Sequence, residues 1–132
     1  MDLLLSIQPV IARRITSGKK KYEYRRALFK REVRHIYLYS SSPVRKIVCR
    51  FTAGGCLSGT INEIWHKTGR LSAAREDEYR EYFEGTRIAH AILIENLKVF
   101  DPPLDPYALI PAFRPPQSFM YINGDIIETT LK

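Results

Sequence analysis

Gly18-Lys19-Lys20-Lys21-Tyr22-Glu23-Tyr24-Arg25 is the stretch on which the fold turns. Residues 21–26 read as a strand, so Lys21, Glu23 and Arg25 share one face while Tyr22 and Tyr24 share the other. An alternating Lys/Glu/Arg face is not an ordinary core face. It is either solvated surface or the lining of a cleft. Upstream, Leu3, Leu5 and Ile7 alternate with Leu4, Ser6 and Gln8 as a first strand. Pro9 then opens a helix and Gly18 closes it. Ile11 and Ile15 lie on one side of that helix, and Lys19 and Lys20 sit at its end, where cations suit the macrodipole.

Downstream, residues 33–41 read as a third strand, with Ile36 and Leu38 on one face and His35, Tyr37 and Tyr39 on the other. Ser40-Ser41-Ser42-Pro43 is turn chemistry. Residues 46–51 give a fourth strand, with Ile47, Cys49 and Phe51 on one face, and Gly54-Gly55 ends it or puts a bulge in it. Residues 60–84 change character. Ile61, Ile64 and Trp65 fit an amphipathic helix stopped by Gly69. Ser72 is placed to cap a second helix, which carries Tyr79, Tyr82 and Phe83 and stops at Gly85. Residues 89–100 form a long strand that Asp101-Pro102-Pro103 is expected to break. A proline-rich connector, 102–116, leads to a last strand over 117–122. The sequence predicts one α+β domain over 1–132, with a core of about 3–122 and a peripheral, frayed tail at 123–132.

A 132-residue chain that is 45% hydrophobic can build its core without disulfides or a structural metal. Cys49 and Cys56 have no partners at zinc-like spacing and are expected to stay reduced. No metal site and no cofactor is expected. The apolar start is short, lacks a basic leader and ends at Gln8-Pro9, which favours a strand over a signal peptide. No apolar run approaches the roughly 18 residues of a membrane span, so a cytoplasmic protein without membrane partners is expected. The net charge of +7 is unevenly spread: residues 1–50 carry 13 Lys/Arg against 3 acids, and residues 51–132 carry 8 against 11. A one-sided positive field attracts polyanions.

Gly18-x-Lys20-x-x-Glu23-x-Arg25 resembles the G-x-K-x-x-E-x-R signature of the ASCH domain, a branch of the PUA-like superfamily. Leu4-Leu5-Ser6-Ile7-Gln8-Pro9, Ile36-Tyr37-Leu38-Tyr39-Ser40-Ser41 and Pro115-Pro116-Gln117-Ser118-Phe119-Met120-Tyr121 extend the likeness over roughly 3–122. The resemblance implies a small PUA-like β-barrel of five to six strands with flanking helices, a helical insertion at about 60–84 and a cleft beside the motif. Relatives in that superfamily bind RNA or read modified bases. Some small ASCH proteins hydrolyse N4-acetylcytidine, and a ribonuclease activity is attributed to another.

The expected function is therefore binding of RNA, of other single-stranded nucleic acid or of a modified nucleotide. The alternatives are hydrolysis of a modified nucleoside such as N4-acetylcytidine, ribonuclease activity, and a protein partner. Lys20, Lys21, Glu23, Arg25, Arg26, Ser41, Ser42, Gln117 and Ser118 are the candidate ligand contacts. Lys20 and Glu23 would be catalytic if the protein is an enzyme. Arg suits a planar bidentate acceptor and Lys a mobile point-charge contact, while Glu23 can accept from an exocyclic amino group. The competing reading is an internal Lys–Glu–Arg network that fastens the helix end to the barrel. Basic helix 9–19 with Lys30, Arg31 and Arg34 would add phosphate affinity. Tyr22, Tyr24, Tyr37, Tyr39 and Tyr121 are either stacking surfaces or, as strand tyrosines more often are, packing groups. His35, His66 and His90 lie on separate elements, and nothing in the sequence pairs them. Small acetylcytidine hydrolases of this resemblance carry threonine where Glu23 stands here, so their hydroxyl chemistry does not transfer unchanged. Their later glutamate has no fixed place in this chain; Glu81 and Glu84, in the expected helical insertion, are candidates for it.

Overall fold

The computed structural model describes residues 1–131. Six strands form one sheet in the order β2-β5-β4-β3-β1-β6. They are β1 (Asp2–Ile7), β2 (Tyr22–Arg25), β3 (Ile36–Ser40), β4 (Lys46–Gly59), β5 (Ala89–Leu104) and β6 (Phe119–Ile122). Five helices flank them: α1 (Pro9–Thr16), α2 (Ile61–Thr68), α3 (Glu76–Tyr82), α4 (Pro106–Leu109) and α5 (Asp125–Thr130). Only β1 and β3 pair in parallel; every other pair is antiparallel. Among the described residues no helix is long and apolar enough to cross a membrane.

The long β4–β5 ribbon curls the sheet. Its register shifts three times, and such bulges increase local twist and bend the strand. The start of β5, from His90 to Leu93, therefore pairs with β2 while the first half of β4 pairs with β3. The curl brings the two edge strands together. Arg25 on β2 hydrogen-bonds Ser118 at the entry to β6, and the backbone N–H groups of Lys30 and Arg31 donate to Tyr121 Oη at 3.1 and 3.0 Å. The result is a curled half-barrel.

Leu3, Leu5, Ile36, Leu38, Cys49, Phe51 and Ile92 fill the concave side, with Ala12 and Ile15 of α1 against them. On the other side, Leu4, Tyr37, Tyr39, Ile47, Phe100, Phe113 and Ile127 form a second cluster. A third holds Tyr24, Ala89 and Ala91 against Ile64 of α2 and Tyr79 of α3, with Phe83 beyond it. Because both faces of β1 are covered, Leu3, Leu4 and Leu5 are all buried, as in strands packed on both sides.

Several expectations shift. Ile47 does not share a face with Cys49 and Phe51: Leu38 opposes Cys49 but Tyr39 opposes Ile47, so Val48 is an extra residue that turns Ile47 to the outer side. Gly54-Gly55 bulges the strand without ending it, and β4 runs on to Gly59. Asp101-Pro102-Pro103 does not break β5, which continues to Leu104 opposite Ile47. Beyond Ile94, whose N–H still bonds Lys21 O, the β2 side of β5 is an open edge, where prolines cost no ladder bond. Ser72 closes a 3-10 turn over Gly69–Leu71 instead of capping α3, which begins at Glu76. The connector contains α4, and Phe113 is buried.

The segment from Asn123 differs most from the expected frayed tail. It forms α5, and Ile127 is fully buried. Buried Asp2 accepts from Gly124 N–H at 2.9 Å, Glu128 accepts from Tyr37 Oη at 2.6 Å, and Arg50 Nε pairs with Glu128 at 2.6 Å. Buried polar groups without partners would penalise this arrangement. Here the tail supplies hydrogen bonds for Asp2 and Tyr37, while His35 Nδ1 and Arg50 Nε are buried without a hydrogen bond and have only charge proximity to Glu128.

Candidate functional site

Gly18, at φ +80, turns the chain out of α1 in a conformation that favours glycine. Lys20 N–H then bonds Arg14 O, Lys21 N–H bonds Leu71 O, and Lys21 O accepts from Ile94 N–H. The segment is thus pinned between α1, the turn that follows α2 and β5. That pinning carries Lys20 and Glu23 into the protein, where each is 4% exposed. Lys20 Nζ lies 4.7 Å from the centre of the Tyr24 ring and donates to Ser72 O at 3.4 Å. Glu23 sits opposite Ile92 on the concave side. Its Oε2 is 4.0 Å from Arg25 Nη1, while Arg25 Nη2 donates to Ser118 Oγ.

The charges oppose the burial. Desolvation pushes Glu23 above the usual carboxylate range, against the pull of Lys20 and then Arg25. Desolvation likewise pushes Lys20 below the usual amine range, against the pull of Glu23. A buried acid and base driven toward each other in proton affinity are a frequent mark of a functional site. The arrangement can present a cation, a proton-exchanging carboxyl and a guanidinium fork at one place.

Glu23, Arg25 and Ser118 therefore come together, and Lys20, held on the Tyr24 side, acts on Glu23 through its charge without touching it. Gln117 is exposed beside Ser118, whose carbonyl accepts from Ser6 N–H at 2.9 Å. Lys21 is exposed, as its strand-edge position allows. Arg26 turns to the end of α3 instead: it donates to Tyr82 O at 2.7 Å and stacks 4.7 Å over the Tyr82 ring. Ser41 and Ser42 lie in the β3–β4 turn, where Ser41 N–H bonds Ile7 O. No contact among the described residues joins them to Lys20, Glu23 or Arg25.

Tyr24, Tyr37 and Tyr39 are buried and offer no free ring face. Tyr24 Oη lies 2.6 Å from Thr68 Oγ1, and its ring packs edge-on to Tyr79 and Phe83. Tyr22 and Trp65 are partly buried against the same cluster, and Tyr121 lies under Arg31. Arg34 pairs with Asp2 and Asp125. Glu84 lines a separate groove of about 440 Å3 with Thr60, Arg80, Phe83 and Arg87. Among the described residues no group of His, Cys, Asp and Glu is arranged to hold a metal ion. One pairing was missed from the sequence: Ser58 Oγ lies 2.7 Å from His90 Nδ1. Only the β4–β5 register brings them together.

Residues 5–102 match the model of the ASCH domain. An ASCH domain-containing ribonuclease of Zymomonas mobilis is 33% identical over 127 residues, covering 94% of this chain and 86% of that protein. The crystal structure of ASCH from Zymomonas mobilis superposes with a TM-score of 0.88 at 28% identity, covering 98% of this chain and 93% of that one. A tyrosine-to-phenylalanine variant of the Zymomonas protein gives a TM-score of 0.88 at 27% identity, covering 98% and 96%. With its signature octapeptide, its curled sheet and a relative that spans nearly its whole length, this chain belongs to the ASCH domain family.

Proposed function

We propose that this chain binds single-stranded RNA across the seam where β2 meets the entry to β6, and cleaves it there. The observation that carries this reading is that Lys20 and Glu23 are both buried charges and that Glu23 is continued to the surface by Arg25 and Ser118. A structural ion pair has no need to end in a guanidinium beside an exposed hydroxyl. Arg25 suits a phosphate, and Glu23 suits a base amino group. The relative's name, a ribonuclease, favours RNA over a free nucleoside. Glu23 standing in place of a threonine hydroxyl disfavours acetylcytidine hydrolysis by the mechanism of the small hydrolases.

The test is fluorescence anisotropy with a labelled single-stranded RNA at several salt concentrations, beside a denaturing gel of the same samples. Affinity is expected to fall with salt at a slope of about −0.7 per phosphate contact. It is expected to collapse in the Lys20→Ala/Glu23→Ala variant. Salt-independent retention that survives this substitution would reject the reading.

A further inference from the structure

Ser58, His90 and Arg25 stand in one row across three neighbouring strands. Ser58 on β4 opposes His90 on β5, and His90 opposes Arg25 on β2. Directly opposed residues share a face of the sheet. The adjacent row on that face is Cys56, Ile92 and Glu23, and Ile92 belongs to the concave cluster. The hydroxyl, imidazole and guanidinium therefore line the concave side beside the motif. Ser58 is exposed and His90 partly so, whereas Glu23 is enclosed by Lys20 and Arg25. Of the two bases, His90 is the one an incoming ribose can reach. Among the described residues its Nε2 has no hydrogen-bond partner, while its Nδ1 is held at 2.7 Å by Ser58 Oγ.

Resting on the RNA reading above, we infer that His90 is the general base of RNA cleavage at this face and Ser58 its positioning residue. With Nδ1–H donated to Ser58 Oγ, the Nε2 lone pair takes the proton of a ribose 2′-OH. The 2′-oxygen forms a bond to the adjacent phosphorus, and the bond from phosphorus to the 5′-oxygen breaks. The 5′-oxygen leaves with a proton from water, and the imidazolium returns its proton to solvent. The products are a 2′,3′-cyclic phosphate and a 5′-hydroxyl, with no oxidant or co-reactant consumed. Arg25, one strand away, stabilises the charge that gathers on the phosphoryl oxygens.

The experiment uses the full chain with a labelled RNA oligomer and its 2′-deoxy counterpart, read by denaturing gel and mass spectrometry. Wild type is expected to yield cyclic-phosphate ends from RNA and nothing from the 2′-deoxy strand. His90→Ala is expected to lose roughly 10²–10⁴-fold in kcat, with RNA affinity retained and with partial rescue by added imidazole. Ser58→Ala is expected to lose less and to gain nothing from imidazole. His90→Gln, with its melting curve, covers the case in which the alanine variant fails to fold. If the His90 variants cleave at the wild-type rate, or if wild type binds RNA without cutting it, the role of His90 is overturned and RNA binding stands. If wild type does not bind RNA, both fall.

Discussion

Arg25, on the strand at one edge of the sheet, hydrogen-bonds Ser118, which leads into the strand at the other edge. The contact closes the seam between β2 and β6 and places a guanidinium at its mouth. Arg25→Ala should therefore act twice, loosening the seam and removing a phosphate contact. Ser118→Ala should act mainly on the seam. A hydrogen bond to a charged group contributes about 1.5–3 kcal/mol, less at an exposed hydroxyl. The expected pattern is a larger loss of RNA affinity for Arg25→Ala than for Ser118→Ala. The double variant should lose less than the two losses added together. Anisotropy titrations of the four proteins check it.

The Lys20–Glu23 pair predicts an unusual dependence of stability on pH. Glu23 holds its proton more tightly when folded, so the unfolded chain releases it first as pH climbs past 4.5. The folded state then binds more protons, and stability falls with rising pH through that window. Lys20 releases its proton earlier when folded, so stability recovers as pH approaches 10.5. Between these limits the pair is a cost, and replacing such pairs with apolar side chains often gains about 1–4 kcal/mol. Lys20→Met/Glu23→Leu should unfold at equal or higher denaturant near neutrality and flatten the pH profile, while RNA binding is lost. Unfolding curves at several pH values decide it.

The tail makes the opposite acid prediction. Burial pushes Asp2 up, but its bonds from Arg34, Gly124 and His35 outweigh that and hold it below the ordinary range. Burial likewise pushes Glu128 up, and Tyr37, Arg50 and His35 together bring it below. Both contribute stability that is present above the unfolded values of 3.8 and 4.5 and is lost as pH falls through the folded ones. Tyr37→Phe keeps the buried ring and removes the 2.6 Å bond to Glu128. It should cost about 1–3 kcal/mol and raise the pH at which acid unfolding begins. Circular dichroism along an acid titration measures both.

Much of this was legible in the sequence, for identifiable reasons. Alternation in Ile36-Tyr37-Leu38-Tyr39 predicts the faces correctly because β3 is regular up to its bulge. Ile47 went to the wrong face because a single inserted residue, Val48, reverses parity and has no compositional mark. Asp101-Pro102-Pro103 read as a break because a sequence does not reveal which strand edge is unpaired. In the candidate site, the motif itself was local and visible. Arg26 is expected among the ligand contacts, and its engagement by Tyr82, 56 residues away, is not legible locally. Ser58 and His90 meet only through the pairing of two long, bulged strands.

The two cysteines should differ sharply in reactivity. Cys49 is fully buried in the concave cluster, and burial pushes its thiol up to about 12, whereas Cys56 is exposed. They lie on the same strand, seven residues apart, so about 20 Å of extended backbone separates them and no bridge can form. A thiol reagent should label one site rapidly in the native protein and the second only after denaturation. Rapid labelling of both would mean that the interior around Phe51 and Cys49 opens readily.

Lys21 and Arg26 carry the same charge but should contribute differently to RNA binding. Lys21 projects into solvent beside the motif, with no side-chain partner among the described residues. Arg26 is already engaged by the Tyr82 carbonyl and ring, a stacked arrangement that orients its guanidinium toward α3. If the basic face binds phosphates, Lys21→Ala should make the salt dependence shallower by about 0.7, the share of one phosphate on a single strand. Arg26→Ala should leave that slope unchanged and lower the melting temperature instead, because it unfastens α3 from the end of β2. The discriminating measurement is the slope of log affinity against log salt for the two variants. Equal slopes in wild type and Lys21→Ala would restrict the RNA contact to the seam itself, where Arg25 and Ser118 meet.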